Sequence, residues 1–365
     1  MKVDRYYKYL IKPNKEQKEI IIRTFGAVRF VFNRYLDDVR SGKITKGLAR
    51  DIVNEYRIKY PFLNGIDGSA LMNVIFQAQG SGISLSHHKS RRDSRMTYTT
   101  SNLERSPIRI ILNKYIQLPR LGNVEMVYHR PVPENARIKK ATVMREADGK
   151  YYVCIMIEQY RETPEIPINF TNSIGIDYSS GHFYVDNNGN RIDMPHFFKE
   201  SEEAVIENDR KLSLMTKGSR NYYKTKMKRA TKHQRIRNQR TDFLHKLTTK
   251  LAEEYDVVCL EDLDMKKISQ NLDLGQRTYD NAYGLFNRYL EYKMKERGKL
   301  LLRVGRYYPS SKTCHNCGYV NHSLTLNDRI WQCPQCGTML DRDVNAAINI
   351  KNKAISDYLR RRVSG

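Results

Sequence analysis

The sequence predicts an α/β protein in two parts, a small β-barrel followed by a layered α/β domain with a zinc site near its end. Three observations lead there. Apolar residues alternate with period two from about residue 104 to 158, the pattern of half-buried strands. From Ser173 onward, short apolar runs alternate with long helical stretches, as in strands and helices packed in layers. Two C-x-x-C pairs, Cys314/Cys317 and Cys333/Cys336, stand 15 residues apart, a spacing that forms zinc sites.

The elements follow in order. "YYKYLIKPN" reads as a strand running into a loop. Asn14 is placed to cap a helix, with Gln17 three residues on as in a capping box. Ile21, Phe25, Val28, Phe32 and Tyr35 then fall on one helical face. Helical patterning continues to about Gln79. "GSGISLSHHKSRRDSR" has no period and reads as a loop or short helix facing a polyanion; His87 and His88 read as solvated rather than as ligands. "RIIL", "YIQLP", "VEMVYH", "ATVMRE" and "YYVCIMIE" are the barrel strands, with "LGN" and "ADGK" as turns, and "TPEIPINFTN" is a linker. "SIGID" is an apolar strand ending in Asp177. "HFYVDNNGNRI" is a hairpin turning at Asn188-Gly189. Residues 201–254 form one long helix or a helical hairpin. "YDVVCLED" is a second buried strand ending in Glu261 and Asp262. A helix around 282–297, a strand "KLLLRVGR", the cysteine segment and a helix from about 343 complete the chain.

With 365 residues the chain exceeds one ordinary domain. Lys and Arg total 64 against 40 Asp and Glu, a net charge of +24. Such a chain meets a polyanion, most commonly nucleic acid. The absence of an 18-residue apolar run excludes a membrane-spanning helix. The N-terminal stretch lacks the apolar core of a signal peptide. An intracellular, cytoplasmic protein is expected. Six cysteines in such a chain argue against a disulfide framework, and Cys154 and Cys259 read as core residues.

Three constellations could carry chemistry. Each C-x-x-C knuckle presents two thiolates on one side, and two knuckles close a tetrahedron. Gly318 and Gly337 follow the pairs and can take the positive φ a knuckle needs. With all four positions filled by Cys314, Cys317, Cys333 and Cys336, the zinc is expected to be structural. The second constellation is dispersed: Asp177, Glu261, and Asp341 or Asp343, between which spacing does not choose. Oxygen-only clusters favour Mg²⁺ or Mn²⁺, and two such ions can clamp a phosphodiester under hydrolysis. Each acid alone has an ordinary reading, since acids are common at strand ends and helix N-termini. The third is the basic stretch from about Lys217 to Arg240. It carries Lys224, Lys228, Arg229, Lys232, Arg235, Arg237 and Arg240, with Tyr222 and Tyr223 to stack on bases or sugars. Lys89, Arg91, Arg92 and Arg95 join it as candidate nucleic-acid contacts.

Together, "YYKYLIKPNKEQ…FGAVRFVFN", "GKYYVCIMIE", "GIDY", "RIRNQRTDFLHKL", "YDVVCLEDLDM", "PSSKTCHNCGYVN" and "WQCPQCGTMLDRDVNAAINI" resemble TnpB, the OrfB-type protein of insertion-sequence transposons and a relative of the compact type V CRISPR effectors. The resemblance covers most of the chain in order, strongest from Ser173 and weakest from about 41 to 102. It implies an RNase H-like RuvC nuclease domain with a zinc ribbon, preceded by a wedge β-barrel with a helical recognition insert. The implied boundaries are 1–12 for the first barrel strand, 13–103 for the insert and 104–168 for the barrel. RuvC then spans 169–309, the ribbon 310–340, and the last RuvC motif with helix and tail 341–365.

The resemblance further implies an RNA-guided DNA endonuclease. Its partners would be a guide RNA from the transposon end and double-stranded target DNA beside a short motif. No membrane partner is implied, a monomer is among the states allowed, and the protein would be nucleoid-associated. The catalytic acids map onto Asp177, Glu261 and Asp343, holding Mg²⁺ or Mn²⁺, with Asp341 as a helix cap. The sequence departs from the family at "GIDYSSG", where Ser179-Ser180 follow the acid, and across the insert's basic segment. The rivals are a transposase or recombinase using the same acids without a guide, a guide-directed repressor, and a plain zinc-ribbon nucleic-acid binder. The intact acid triad argues against the repressor.

Overall fold

The computed structural model describes residues 2–44, 47–80, 87–89, 96–160, 162, 164–179, 182–193, 195, 197–263, 279–325 and 328–363. The chain divides into two compact units, 1–162 with 216–231, and 163–215 with 232–365. The inclusion of 216–231 in the first unit departs from the expected boundaries. Within that unit Met227 lies against Gly149.

In the first unit, β1 (Lys2–Lys12) is followed by α1 (Lys15–Arg40), α2 (Ala49–Lys59), a 3₁₀ turn (Pro61–Gly65) and α3 (Gly68–Gly80). Asn14 caps α1 in a reciprocal capping box with Gln17, as the sequence predicts. Ile21, Phe25, Val28, Phe32 and Tyr35 are all buried. The strands β2 (Met96–Ser101), β3 (Arg109–Ile111), β4 (Tyr115–Leu118), β5 (Gly122–Met126), β6 (Arg137–Arg145) and β7 (Tyr151–Tyr160) join β1 in an antiparallel sheet of order β2-β6-β7-β1-β5-β4-β3. β1 pairs along β7 from Lys2 opposite Tyr160 to Ile11 opposite Tyr151. Tyr7, Tyr9 and Ile11 therefore share a core with Val153, Ile155, Ile157 and the helices.

Two expectations are corrected here. β2 falls inside the stretch assigned to the helical insert, yet pairs with β6 from Met96–Arg145 to Ser101–Lys140. Its "MTYTTS" is β-branched and aromatic but follows a basic run that hides the period. The expected barrel is also not closed by the pairing of the described residues, because β2 and β3 remain the sheet's two edges.

In the second unit, β8 (Ser173–Asp177), β9 (Tyr184–Asp186), β10 (Arg191–Ile192), β11 (Val257–Glu261) and β12 (Leu300–Val304) form a sheet of order β10-β9-β8-β11-β12. β8, β11 and β12 run parallel; β9 is antiparallel to β8, and β10 is antiparallel to β9. The helices are α4 (Phe197–Ser213), α5 (Arg220–Glu254), α6 (Tyr279–Glu296) and α7 (Arg342–Val363), so 201–254 is a helical pair. β8 and β11 read as unbroken apolar runs because both faces are covered. Ile174, Ile176, Val258 and Leu260 pack with Leu244, Leu251, Phe286 and Leu290 from α5 and α6. Val257 and Cys259 pack on the other face with Ile350 and Ala354 from α7. The cysteine segment ends in a two-stranded hairpin, β13 (Ile330–Gln332) with β14 (Met339–Asp341), which runs directly into α7.

Gly175 sets how closely α7 approaches β8. A Cβ there would lie 2.1 Å from the Ala347 carbonyl oxygen and 2.8 Å from Lys351 Cβ. Backbone cannot yield as a flexible side chain does, so Gly175→Ala should push α7 away. The expected loss is at least about 1–3 kcal/mol of stability, read from urea unfolding; an unchanged midpoint would contradict this packing.

Candidate active site and zinc centre

Strand parity places the acids. Side chains alternate across a strand, so Asp177 shares the face of Gly175, and Glu261 shares the face of Cys259. Both therefore lie on the side covered by α7. The parallel ladder matches Cys259 to Gly175 and Leu260 to Ile176, and the two strands each end one residue on, at Glu261 and Asp177. Asp343 sits in the first turn of α7.

Asp177 senses the charges of both other acids. Asp177 is held well above the ordinary carboxylate range, first by desolvation and then by the charges of Glu261 and Asp343; Arg342 opposes the shift. Glu261 is raised by burial, against a hydrogen bond from Ser310 that favours its ionised form. Ser310 Oγ donates to Glu261 Oε1 at 2.6 Å. Asp343 Oδ2 accepts from Ser179 Oγ at 3.0 Å and lies 3.4 Å from Arg329 Nη1. Asp341 does different work. Its Oδ1 accepts from the backbone N–H groups of Asp343 and Val344, at 3.1 and 3.0 Å. Its Oδ2 pairs with Arg191 at 2.6 Å. Asp341 is thus the helix cap, as the resemblance implied.

Three carboxylates on one face suit a hard cation, which would neutralise charges that otherwise destabilise the fold. A second observation fits such a group. The Tyr283 hydroxyl is fully buried without a hydrogen-bond partner, and it interacts electrostatically with Asp177 and Glu261. The acids are less tightly gathered than the cysteines. Among the described residues, only the cysteines bring three or more candidate ligand atoms within 4.8 Å of one another.

Cys314, Cys317, Cys333 and Cys336 meet as the spacing predicts. The knuckles repeat one another. Gly318 N–H reaches the Cys314 carbonyl and Gly337 N–H the Cys333 carbonyl, each at 2.9 Å, with φ of +81° and +70° at the two glycines. Sγ separations of 3.7 Å (Cys314–Cys336) and 3.5 Å (Cys317–Cys333) suit a tetrahedron with Zn–S bonds of about 2.3 Å, whose edges are about 3.8 Å.

The basic candidates divide. On α5, Lys224, Lys228, Arg235, Arg237 and Tyr223 are exposed, and Arg229, Lys232, Arg240 and Tyr222 are half-buried. Tyr222 and Tyr223 meet edge to face, centroids 5.8 Å apart. Lys89 is engaged within the fold, its ammonium 3.9 Å from the Phe32 ring centroid and 3.1 Å from Gln77 Oε1. His88 pairs with Asp37 at 2.8 Å. Arg91, Arg92, Arg95 and Ser180 lie outside the described residues. Ser310, Arg329, Arg342 and Tyr283 were not singled out from the sequence, because only folding brings them to the acids.

Three family signatures match: "Helix-turn-helix domain" over 1–41, "Probable transposase" over 155–272 and "Cas12f1-like, TNB domain" over 283–350. A Streptomyces pristinaespiralis protein named "Putative RNA-guided DNA endonuclease" is 31% identical, over 95% of this chain and 89% of that one. The chain belongs to the TnpB family. InsQ of Escherichia coli K12, which carries the same description, is 25% identical over 96% of this chain and 92% of its own. TnpB-like protein L79 of Acanthamoeba polyphaga mimivirus is 21% identical over 97% and 74%. The Cas12f1 chain of a complex with sgRNA and target DNA shares the fold at a TM-score of 0.64 and 12% identity, over 96% of this chain and 99% of that one. In this TnpB-family chain, residues 1–41 hold a sheet strand and one 26-residue helix, not the two short helices of a helix-turn-helix. No helix among the described residues is long and apolar enough to cross a membrane.

A raised pKa makes protonated Asp177 the form that folding favours. Without added divalent cations, its stabilising contribution is full below the unfolded carboxylate pKa of about 3.9 and is lost as pH rises through the raised value. Asp177→Asn should therefore melt a few degrees above wild type at neutral pH and converge with it near pH 4; identical curves would disprove the burial of charge. Elemental analysis should find one zinc per chain, and Cys333→Ser should lose both the zinc and the ribbon's protection from proteolysis.

Proposed function

We propose that this chain is an RNA-guided DNA endonuclease that hydrolyses phosphodiesters at Asp177, Glu261 and Asp343. The convergence of three carboxylates from β8, β11 and α7 on one face carries the reading. Such a cluster lowers stability, and strongly perturbed carboxylates of this kind concentrate at functional sites. Membership of TnpB, with relatives described as RNA-guided DNA endonucleases, supplies the substrate class. The mixed sheet, with acids ending two adjacent parallel strands, supports an RNase H-like RuvC domain.

Asp177, Glu261 and Asp343 would hold Mg²⁺ or Mn²⁺, which when bound polarises the scissile phosphate and activates water. The chain's own groups prepare that place. Ser310 orients the Glu261 carboxylate, and Ser179 and Arg329 orient that of Asp343. Arg342 offsets part of the negative charge around Asp177.

The guide RNA would come from the transposon end and supply most of the sequence specificity by pairing, while the protein reads a short adjacent motif. The first unit takes the wedge and recognition roles in this proposal. The exposed cations of α5 contact phosphates, so binding should weaken with salt. Working on DNA, the protein would be nucleoid-associated.

Expression with native flanking DNA, purification and sequencing of bound RNA tests this directly. A single species ending in sequence from beyond the element boundary is expected; random fragments would favour an unguided recombinase or a plain binder. With that RNA and a matched target, Glu261→Gln and Asp343→Ala should abolish Mg²⁺-dependent cleavage while RNA binding persists. Asp341→Ala should keep cleavage and lose about 0.5–2 kcal/mol of stability, the cost of a lost cap. Cleavage that depends on Asp341 alone would overturn the assignment.

A further inference from the structure

Asn345 and Asn349 are buried, one turn apart on α7, with exposures of 1% and 5%. Neither touches the acids. Both grip the segment that leads from β12 into the first cysteine knuckle. Asn349 Nδ2 donates to the carbonyls of Ser310 and Thr313 at 2.8 and 2.6 Å. Asn345 Nδ2 donates to the Thr313 carbonyl at 2.8 Å. Asn345 Oδ1 accepts from the backbone N–H of His315 at 3.0 Å and lies 3.0 Å from its ring Nδ1. That contact fixes the ring's N–H on Nδ1. His315 lies inside the knuckle, between Cys314 and Cys317. Ser310, gripped through its carbonyl, turns its hydroxyl to Glu261.

We infer that Asn345, Asn349 and Ser310 are positioning residues that couple the four-cysteine ribbon to the acidic site. The connection is unbroken: knuckle to His315, His315 to Asn345, the asparagine pair to the 310–313 backbone, and Ser310 to Glu261. The same helix presents Asp343 two residues before Asn345. One clamp therefore sets Glu261 and Asp343 with respect to each other, and the ribbon is its anchor.

Each alternative for these amides is worse. Buried carbonyls left without donors cost stability, and Ala or Leu at 349 would take from the Ser310 carbonyl its short donor and from Thr313 one of two. A plain structural tie would need no link to Glu261. The short Ser310 bond supplies one and favours the ionised carboxylate a cation requires.

This inference rests on reading the acids as a divalent-cation site, and the test separates the two. Mn²⁺ binding to purified protein is followed by electron paramagnetic resonance of the free ion, with Asp343→Ala defining the site. Groups that hydrogen-bond a ligating carboxylate change metal affinity by about 10- to 100-fold. Ser310→Ala and Asn349→Ala should each weaken Mn²⁺ binding by about tenfold, with zinc still at one per chain. Ser310→Thr, which keeps the hydroxyl, should restore it. The double variant should bind no worse than the weaker single, because both act through one carboxylate.

Wild-type affinity in both variants would overturn the coupling while leaving the cation site standing, as would additive losses. Failure of wild type to bind Mn²⁺ above the Asp343→Ala level would overturn both. Should Asn349→Ala shed its zinc, Ser310→Ala against Ser310→Thr decides, since neither alters a ribbon or helix contact.

Discussion

The close approach of α7 to β8 is the constraint on which the second unit depends. It exists because residue 175 has no side chain, so that the Ala347 carbonyl passes where a Cβ would stand. From that contact the rest follows by geometry. The strand's pleat turns Asp177 toward the same helix, and the parallel ladder ends β11 in Glu261 on the adjoining strand. A helix seated farther out would carry Asp343 away from both. The glycine and the acid two residues later are thus one device, in which the first determines what the second can meet.

The site stands against an electrostatic cost. Asp177 is surrounded by apolar strand neighbours and two like charges, and its pKa rises accordingly. Cations and hydroxyls at the rim offset part of this. Arg342 and Arg329 lie toward the acids, and Ser179 and Ser310 donate to two of them. These supports come from Ser179 just past β8, the ribbon, the segment ahead of it and the start of α7. The ribbon therefore contributes more than a fold of its own. Its four thiolates hold a small hairpin with little apolar core beyond Leu324, Trp331 and Leu340, and that hairpin hands the chain directly to α7.

Much of this was legible in the sequence. The cysteine spacing names its own geometry, and glycines after each pair announce the positive φ that the structure shows. The Asn14–Gln17 box and the buried stripe of α1 are local patterns, readable in one window. Unbroken apolar runs ending in acid marked β8 and β11. What stayed hidden depends on contacts between distant residues. Ser310 is an ordinary serine until folding sets it against Glu261, 49 positions earlier. Asn345 and Asn349 lie in a stretch whose helical period was clear, yet asparagine inside a helix carries no sign of the carbonyls it will meet. β2 was lost because six residues of period two do not stand out after a basic run. The barrel expectation met a sheet whose two edges the strand pattern cannot foretell, since alternation fixes which face is buried and not which strands are neighbours.

The pair Asp341 and Asp343 shows how two identical side chains, two residues apart, take opposite roles. A residue just before a helix can bend its carboxylate back onto the exposed N–H groups of the first turn. Asp341 does so, and Arg191 occupies its second oxygen. Both oxygens are then committed to holding the helix in place. Two positions on, Asp343 is already helical, and its side chain projects to the face where Ser179 and Asp177 lie. The cap closes the first turn of α7, and the next acid projects from that turn. Spacing alone was silent between the two because the difference is one of backbone conformation. The first acid serves the helix, and the helix in turn delivers the second to the site.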